Sequence, residues 1–479
     1  MKILNTCFCR AAFVLLLTFV TNCLQAQSSK IITRTGHIDS AGLFKLVYVP
    51  VDVPNGVTEI RVNEKYNKSG KNVLNIGIFG PQGYELGNAA GFRGWSGGAK
   101  TSFFINEAEA STGYVPGKIG KGTWNILIYP STITKEGIDW TLEIEMIIGQ
   151  HKKIFKMAKA NDFINNRAGW YSGDLHMHTL HSDGKRTQQQ LTDEASSKHL
   201  DFIISTEHNT NSANLMWGKH EKKDLLIIDG EEVTSTAYGH WNAIGLKPQS
   251  WIEWRYTPDD KVIDKYIGQV HRDGGLCIIN HPFYTKNLTN GFAYDPGLFD
   301  GIEIWNGNWD VMDALALKWW DGFLKTGKHM LAIGASDTHQ SSGSPNNLGT
   351  PQTVVYAESL SQKGILKGLK SGKAYITSLP DIKLSMIARC GDQTAGIGNE
   401  LKVNNNQQVT LNLTVPQISS ATISIIGAQG VIKSATASSP GYQWLIDTAN
   451  SNYIRLEIKN EDGQLLLITN PIWIKNINK

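Results

Sequence analysis

Between about Asn165 and Ser378 the hydrophobic period of this chain switches back and forth, and that switching restricts its folds more than any other feature. Short apolar or β-branched runs read as strands: Gly173 to Thr179, Phe202 to Thr206, Leu225 to Val233, His240 to Leu246, Gly275 to Asn280, Gly301 to Trp305 and Met330 to Ala335. Between them lie helical stretches at Gln188 to Lys198, Asp260 to Arg272 and Val311 to Leu324. Such alternation implies parallel pairing, and about seven strands suit a closed barrel better than an open sheet. Thr187, with Gln190 three residues on, makes a capping box that starts the first helix.

The flanks have another texture. From about Ile31 to Gly149, apolar and polar residues alternate in short runs such as Phe44 to Val51, Val73 to Phe79 and Trp124 to Tyr129, broken by Gly, Pro and Asn turns. Within this region Phe92 to Gly98 (FRGWSGG) is a glycine-rich loop. We read its Trp95 as packed on a sandwich with Arg93 stacked beside it, ahead of any ligand contact. After Ser378 the alternating texture returns, as in Gln408 to Val415 and Tyr453 to Ile458. The expected fold class is α/β: a (β/α) barrel over residues 160–380, flanked by two small all-β sandwich domains at 27–150 and 381–479. With 479 residues the chain has room for about three such units.

Residues 1–26 read as an export signal. Lys2 and Arg10 flank the apolar run Ala11 to Val20, which leads to a small-residue site ending at Ala26 and is too short to span a bilayer. Lipid attachment at Cys23 competes, but Asn22 before it is larger than that modification favours. The expected product is periplasmic or secreted, with no transmembrane anchor. Losing Lys2 and Arg10, with no acid, lowers the formal charge from +3 to +1. So balanced a surface lacks the basic excess of a protein that binds long nucleic acids. Cys7, Cys9 and Cys23 leave with the signal, and Cys277 and Cys390 fall in different regions, so no structural disulfide is expected.

The chemistry gathers where the middle strands end. His176 and His178 are two apart, so in an extended segment both imidazoles face one way, and Asp337 with His339 repeats the spacing. Asp183, His208, Glu232, His240 and His281 lie between, nearly all just after an apolar run. In a barrel these positions share the carboxyl face, where active sites are built. Nine nitrogen and oxygen donors exceed the roughly four to six ligands of one ion, so they imply two or three divalent ions. The absence of cysteine from the set points to zinc, manganese or iron. The other histidines, His37, His151, His181, His199, His220, His271 and His329, are scattered on loops and helices. His181 is the nearest of them to the set, two residues before Asp183.

These residues carry a resemblance. In chain order DLHMHTLHSDG, TEHN, GEEVT, the histidine of GHWNAIG, NHP and SDTH resemble the motifs of the polymerase-and-histidinol-phosphatase (PHP) domain of metal-dependent phosphoesterases. The wording GHWNAIG, NHPF, EIWN and SDTH, with the FRGWSGG-bearing region in front, more narrowly resembles the carbaryl-hydrolase-like (CehA/McbA) branch. The likeness covers nearly the whole mature chain, loosely so after the middle region. It implies a distorted seven-stranded PHP barrel. It also implies that His176, His178, Glu232 and Asp337 surround one ion, that Glu232 bridges to a second held with His240 and His281, and that Asp183, His208 and His339 hold a third. Choosing Glu232 over Glu231 follows the family pattern, since strand neighbours point to opposite faces. Glu207 departs from that pattern, which has Asp before the histidine, and the longer acid implies altered support around the site.

Clustered ions make a bound water acidic and polarise a scissile group. The middle region has no GxSxG elbow and no cysteine beside the set, so hydrolysis is expected, with Asp183, Glu232 and His339 acting in catalysis. The expected substrate is a small phosphoester, whose charged oxygens suit several cations, and Lys185 and Arg186 are either phosphate contacts or a solvated helix start. A carboxylic or carbamic ester is the alternative, with apolar walls from Trp217, Trp241, Phe283 and Trp305. A non-catalytic glycan-binding protein with a vestigial barrel is a third reading, opposed by the complete donor set.

Overall fold

A computed structural model describes residues 28–477, apart from 69–70, 150–152, 285–291, 341–346, 383, 405–407, 416–417, 419 and 449. The expected leader, 1–26 with Cys23, lies outside the described residues, as does His151. No described helix is long and apolar enough to cross a membrane.

Residues 28–148 form two four-stranded sheets. Ser28–Ile38, Ile138–Ile148, Val57–Tyr66 and Ser102–Asn106 make one, and Val47–Val53, Gly122–Thr132, Val73–Phe79 and Phe92–Gly97 the other. Alternation along each strand turns Ile60, Val62, Leu142 and Ile144 of the first inward against Leu74, Ile76, Ile126 and Ile128 of the second. Arg93 is held within this unit: its guanidinium donates to the carbonyls of Val115, Gly117 and Lys118 and stacks over Trp124.

The middle region departs from the expected barrel. Its strands lie in two sheets, and no closed (β/α) barrel forms among the described residues. Parallel pairing is confined to Gly169–Asp174, Phe202–Ile204 and Leu226–Ile228 in one sheet, and to Leu276–Asn280, Gly301–Asn306 and Leu331–Ala335 in the other. Gly230–Ser235 pairs antiparallel with Gly239–Ile244, which pairs antiparallel with Leu276–Asn280. The reason is loop length. Only Thr236, Ala237 and Tyr238 separate the first two strands, and a parallel crossover needs about a dozen residues or more, so the chain closes a hairpin. The two sheets are linked by the isolated parallel bridges Met177–Thr338 and His208–Glu232, not by continuous ladders.

Four α-helices are described: α1 (Gln188–Ser197), α2 (Ile263–Asp273), α3 (Val311–Lys325) and α4 (Gln362–Lys370). Helices α1 and α3 cross between parallel neighbours, whereas α2 joins an antiparallel pair. The capping box at α1 forms, with Gln190 N donating to Thr187 Oγ1 at 3.2 Å and Thr187 N to Gln190 Oε1 at 2.8 Å.

The last hundred or so residues do not stand apart as a separate sandwich. Leu465–Thr469 pairs with Ala374–Thr377, so a sheet of the middle region runs on into the C-terminal strands. A four-stranded sheet containing Ser385–Cys390 and Val409–Thr414 packs across it through Met386, Leu411, Ile423, Leu456 and Leu467. Cys277 and Cys390 are free and buried.

One further core joins the N-terminal sheets to the middle region. Phe79, Phe92, Trp95 and Tyr129 pack with Trp251, Trp254 and Tyr256, and Phe92 stacks on Trp251 with centroids 4.2 Å apart. That joint lays the strand Phe92–Gly97 beside the strand ends carrying the histidines.

Candidate metal centre

All nine sequence-derived donors come together. Together with Glu303 they fall into four overlapping groups: His178, Asp183, His208 and His339; His176, His178 and Asp337; His176, His281 and Glu303; and Glu232, His240 and His281. Ligand atoms within each group lie within 4.8 Å of one another. Glu232 stands at the middle, with Oε2 2.6 Å from His208 Nδ1 and 3.4 Å from His176 Nε2, and Oε1 3.1 Å from His240 Nδ1 and 3.4 Å from His281 Nε2. Asp337 Oδ1 lies 3.1 Å from His178 Nε2, and Asp183 Oδ1 lies 3.2 Å from His339 Nε2.

Strand ends and hairpin direction account for this convergence. His176 and His178 follow Gly169–Asp174, His208 follows Phe202–Ile204, His281 follows Leu276–Asn280, and Asp337 and His339 follow Leu331–Ala335. His240 is at the start of its strand. It reaches the same end because that strand runs antiparallel, opposite Thr234 on one side and Asn280 on the other. His281 and Asp337 hold left-handed backbone, with φ of 25° and 48°. Such conformations cost on the order of 1–3 kcal/mol and persist where surrounding structure imposes them, here through Asp337 N donating to His176 O at 2.8 Å.

The electrostatics are those of tightly coupled acids and imidazoles. Burial raises the Glu232 carboxyl, but His208, His176 and His240 overcome it and hold that group well below its usual range. Burial lowers His208, but Glu232 and Asp183 outweigh this and lift it to about 9, while burial with His339 and His208 nearby pushes His178 down to about 3. His176 Nε2, Asp183 Oδ1 and Glu232 Oε2 are buried and make no well-directed hydrogen bond, although other members of the donor set stand as close as 2.6 Å. Imidazole and carboxylate atoms converging at these spacings on one another, with no well-directed hydrogen bonds among these three, fit divalent ions, which would satisfy them all.

Residues around the donors fix their positions. Glu303, absent from the sequence-derived set, is 1% exposed; it accepts from His281 N at 3.0 Å and lies 3.1 Å from His176 Nδ1. Its signal was an acid inside the apolar strand Gly301–Asn306. Glu207 accepts from Thr179 N and from the hydroxyls of Thr179 and Ser182, so the longer acid pins the loop leading to Asp183. Asp174 accepts from the backbone of His176, Ser336 and Gly349. Arg186 is neither a phosphate contact nor a solvated helix start. It is 2% exposed, and its guanidinium binds Glu194, Thr338 Oγ1 and the Gln340 carbonyl. Lys185 is exposed. Away from the centre, His181 contacts Ser212 Oγ at 2.8 Å, His271 contacts Asp300 at 2.8 Å, and His329 stacks on Trp473.

A cavity of about 420 Å³ opens on the centre. Asp183, His208 and His240 line one side, and Asn75, Trp95, Gly97, Gly98, Tyr129 and Trp254 line others. Trp217, Trp241 and Trp305, considered as walls from the sequence, are instead core residues no more than 2% exposed. A larger cavity, about 760 Å³, is lined by residues such as Asp273, Lys363 and Lys370 and includes none of the donors.

No family model matches this chain, and no curated protein matches it. Among solved structures it is similar to a two-domain protein from Bacteroides vulgatus ATCC 8482 containing a predicted PHP-like metal-dependent phosphoesterase. Identity is 20%, covering 68% of this chain and 100% of that one, with a TM-score of 0.40. It is also similar to an amidohydrolase from Chromobacterium violaceum with bound sulfate and no metal, at 14% identity over 36% of this chain and 88% of that one, TM-score 0.26.

Proposed function

We propose that this chain is a metal-dependent hydrolase of phosphoesters, acting on a small-molecule ester with two or three divalent ions, zinc, manganese or iron, at the strand-end centre. The observation that carries the reading is the convergence of four overlapping donor groups, in which His176 Nε2, Asp183 Oδ1 and Glu232 Oε2 are buried and make no well-directed hydrogen bond. Bound ions would supply Lewis acidity, make water acidic enough to attack near neutral pH, and offset charge on the departing oxygen. Glu232, with no exposed side chain, sets the charge shared between neighbouring groups. Asp183 and His339 have side chains 44% and 28% exposed and sit 3.2 Å apart, which supports a role in passing protons to or from water at the rim.

The motif resemblance supports the PHP family and its carbaryl-hydrolase-like branch, and the leader at 1–26 supports export. A carboxylic or carbamic ester is the second reading. It is favoured by the cavity lining, which among the described residues includes no Lys or Arg to grip a phosphate. Protein purified without chelator should hold at least two metal equivalents per chain by elemental analysis, and chelation should abolish ester turnover. One equivalent or fewer after metal is offered back would sink the reading. A panel of aryl phosphomonoesters, phosphodiesters, carboxylates and a carbamate, run with each metal, decides the substrate class. A non-phosphate ester favoured by more than about tenfold, roughly 1.4 kcal/mol, would replace the phosphoester assignment.

A further inference from the structure

The cavity at the metal centre belongs to two parts of the chain. Asp183, His208 and His240 provide its metal-facing side, while Trp95, Gly97 and Tyr129 come from the N-terminal sheets. A reacting ester group has to meet the donors, so the remainder of the substrate is left to fill the space beside the N-terminal sheets. We infer that the leaving group docks against the N-terminal sheets and is an uncharged ring bearing hydrogen-bond acceptors, an inference resting on the metal-dependent ester hydrolysis proposed above.

Three observations carry it. First, among the described residues the only Lys, Arg, Asp, Glu or His side chains lining this cavity are Asp183, His208 and His240, all members of the donor set. A charged leaving group would be desolvated against tryptophan, tyrosine and glycine, since Lys100 does not line the cavity and is already bound to Leu180 O and Ser182 O, a costly arrangement. Second, no partner among the described residues takes the indole N–H of Trp95 or Trp254, whose rings pack 4.7 Å apart at the wall. Aromatic side chains with open donors suit a flat ring carrying oxygens. Third, the wall is fixed in advance. Lys100 Nζ donates to Leu180 O at 2.7 Å and Ser182 O at 3.3 Å, and Thr210 Oγ1 donates to Gly113 O at 2.9 Å. These bonds hold the N-terminal region against the loop that carries Asp183 and against the segment that follows His208. At about 420 Å³ the space suits one small molecule.

The test uses the full-length, metal-loaded protein and a series of phosphomonoesters that differ only in the alcohol: p-nitrophenol, a hexose, methanol, serine, and a hexose carrying a second phosphate. The neutral ring alcohols should exceed serine and the bisphosphate by about tenfold or more in kcat/KM. Their two kinds, aryl and hexose, tell an aromatic leaving group from a sugar. Ala99 lines the cavity and is exposed, so Ala99→Phe crowds the wall without disturbing a core. It should lower kcat/KM for the ring substrates about fivefold more than for methyl phosphate, whereas a general structural defect would lower both together. Preference for the charged alcohols, or an unchanged ring-to-methyl ratio in an Ala99→Phe protein of normal metal content, overturns the inference. If no phosphomonoester is turned over, the acetate esters of the same alcohols are compared. The phosphoester reading then fails separately, while the leaving-group preference is still read.

Discussion

Glu231 and Glu232 are adjacent, both are fully buried, and their surroundings could hardly differ more. Glu232 is ringed by five imidazoles, whereas Glu231 accepts one bond from Ile252 N at 3.0 Å and burial pushes its carboxyl well above the usual range. The strand Gly230–Ser235 pairs regularly with Gly239–Ile244, so successive side chains leave on opposite faces. Glu231→Gln keeps the shape and an acceptor for Ile252 N on the face turned away from the donors, and should keep its metal content with activity within about threefold. Glu232→Gln removes charge shared by several donor groups and should lose metal and cut activity more than the roughly 10–100-fold typical of a supporting residue. Elemental analysis alongside turnover separates the two. Equal losses would mean that the donor groups do not share Glu232. What the sequence alone did not reveal was Glu303: periodicity marks Gly301–Asn306 as a buried strand, but a buried acid shows its purpose only when His176 and His281 are brought beside it.

At the scale of elements, strand positions were legible and strand directions were not. Apolar runs locate Leu276–Asn280, Gly301–Asn306 and Leu331–Ala335 within a residue or two, because burial on both faces demands continuous hydrophobicity. Direction depends on what joins the runs, and the short connection at Thr236 to Tyr238 reverses the chain where parallel pairing was expected. The reversal is also what brings His240 to the donors, since the start of an antiparallel strand shares an end with the finish of its neighbour. The loop between His178 and α1 is constrained in another way. A Cβ on Gly184 would stand 2.3 Å from His178 O and 2.7 Å from Thr179 N, backbone atoms with no freedom to yield. Gly184→Ala should therefore push Asp183 away from His208 and His339 and remove about one metal equivalent, with activity down roughly 10–100-fold. A variant with full metal content and full activity would show that this loop does not hold Asp183 in the centre.

Over the whole molecule, the first two sheets end at Ile148, close to the first change of texture, but the change after Ser378 marks no such break, because Leu465–Thr469 continues a sheet of the middle region. Neither change gave a sign of how tightly the parts are joined. Side chains from distant segments make those joints. Arg455, on a C-terminal strand, grips Asp321 of α3 with two nitrogens, at 2.9 and 2.7 Å. Arg255 does the same for the N-terminal sheets. It is 7% exposed, bonds Glu253 at 2.8 and 2.6 Å, donates to Tyr48 Oη at 2.7 Å and to Tyr84 O at 2.9 Å, and stacks on Phe79 at 4.2 Å. Glu253 in turn accepts from Gly87 N at 2.9 Å, across the same joint. Arg255→Met keeps the aliphatic packing but leaves the Glu253 carboxylate buried without its cation, a change that costs about 3–5 kcal/mol. Because Phe79, Phe92, Trp251 and Trp254 form one core across the joint, that loss should lower a single melting transition shared by both parts. Adding Glu253→Gln removes the stranded charge and should recover part of the loss, a coupling visible only in the double mutant. Calorimetry of the two single variants and the double decides it. If the N-terminal sheets melt in a separate transition and only that one moves, the joint does not bind the molecule into one cooperative unit, and the cavity wall beside the metal centre is free to open.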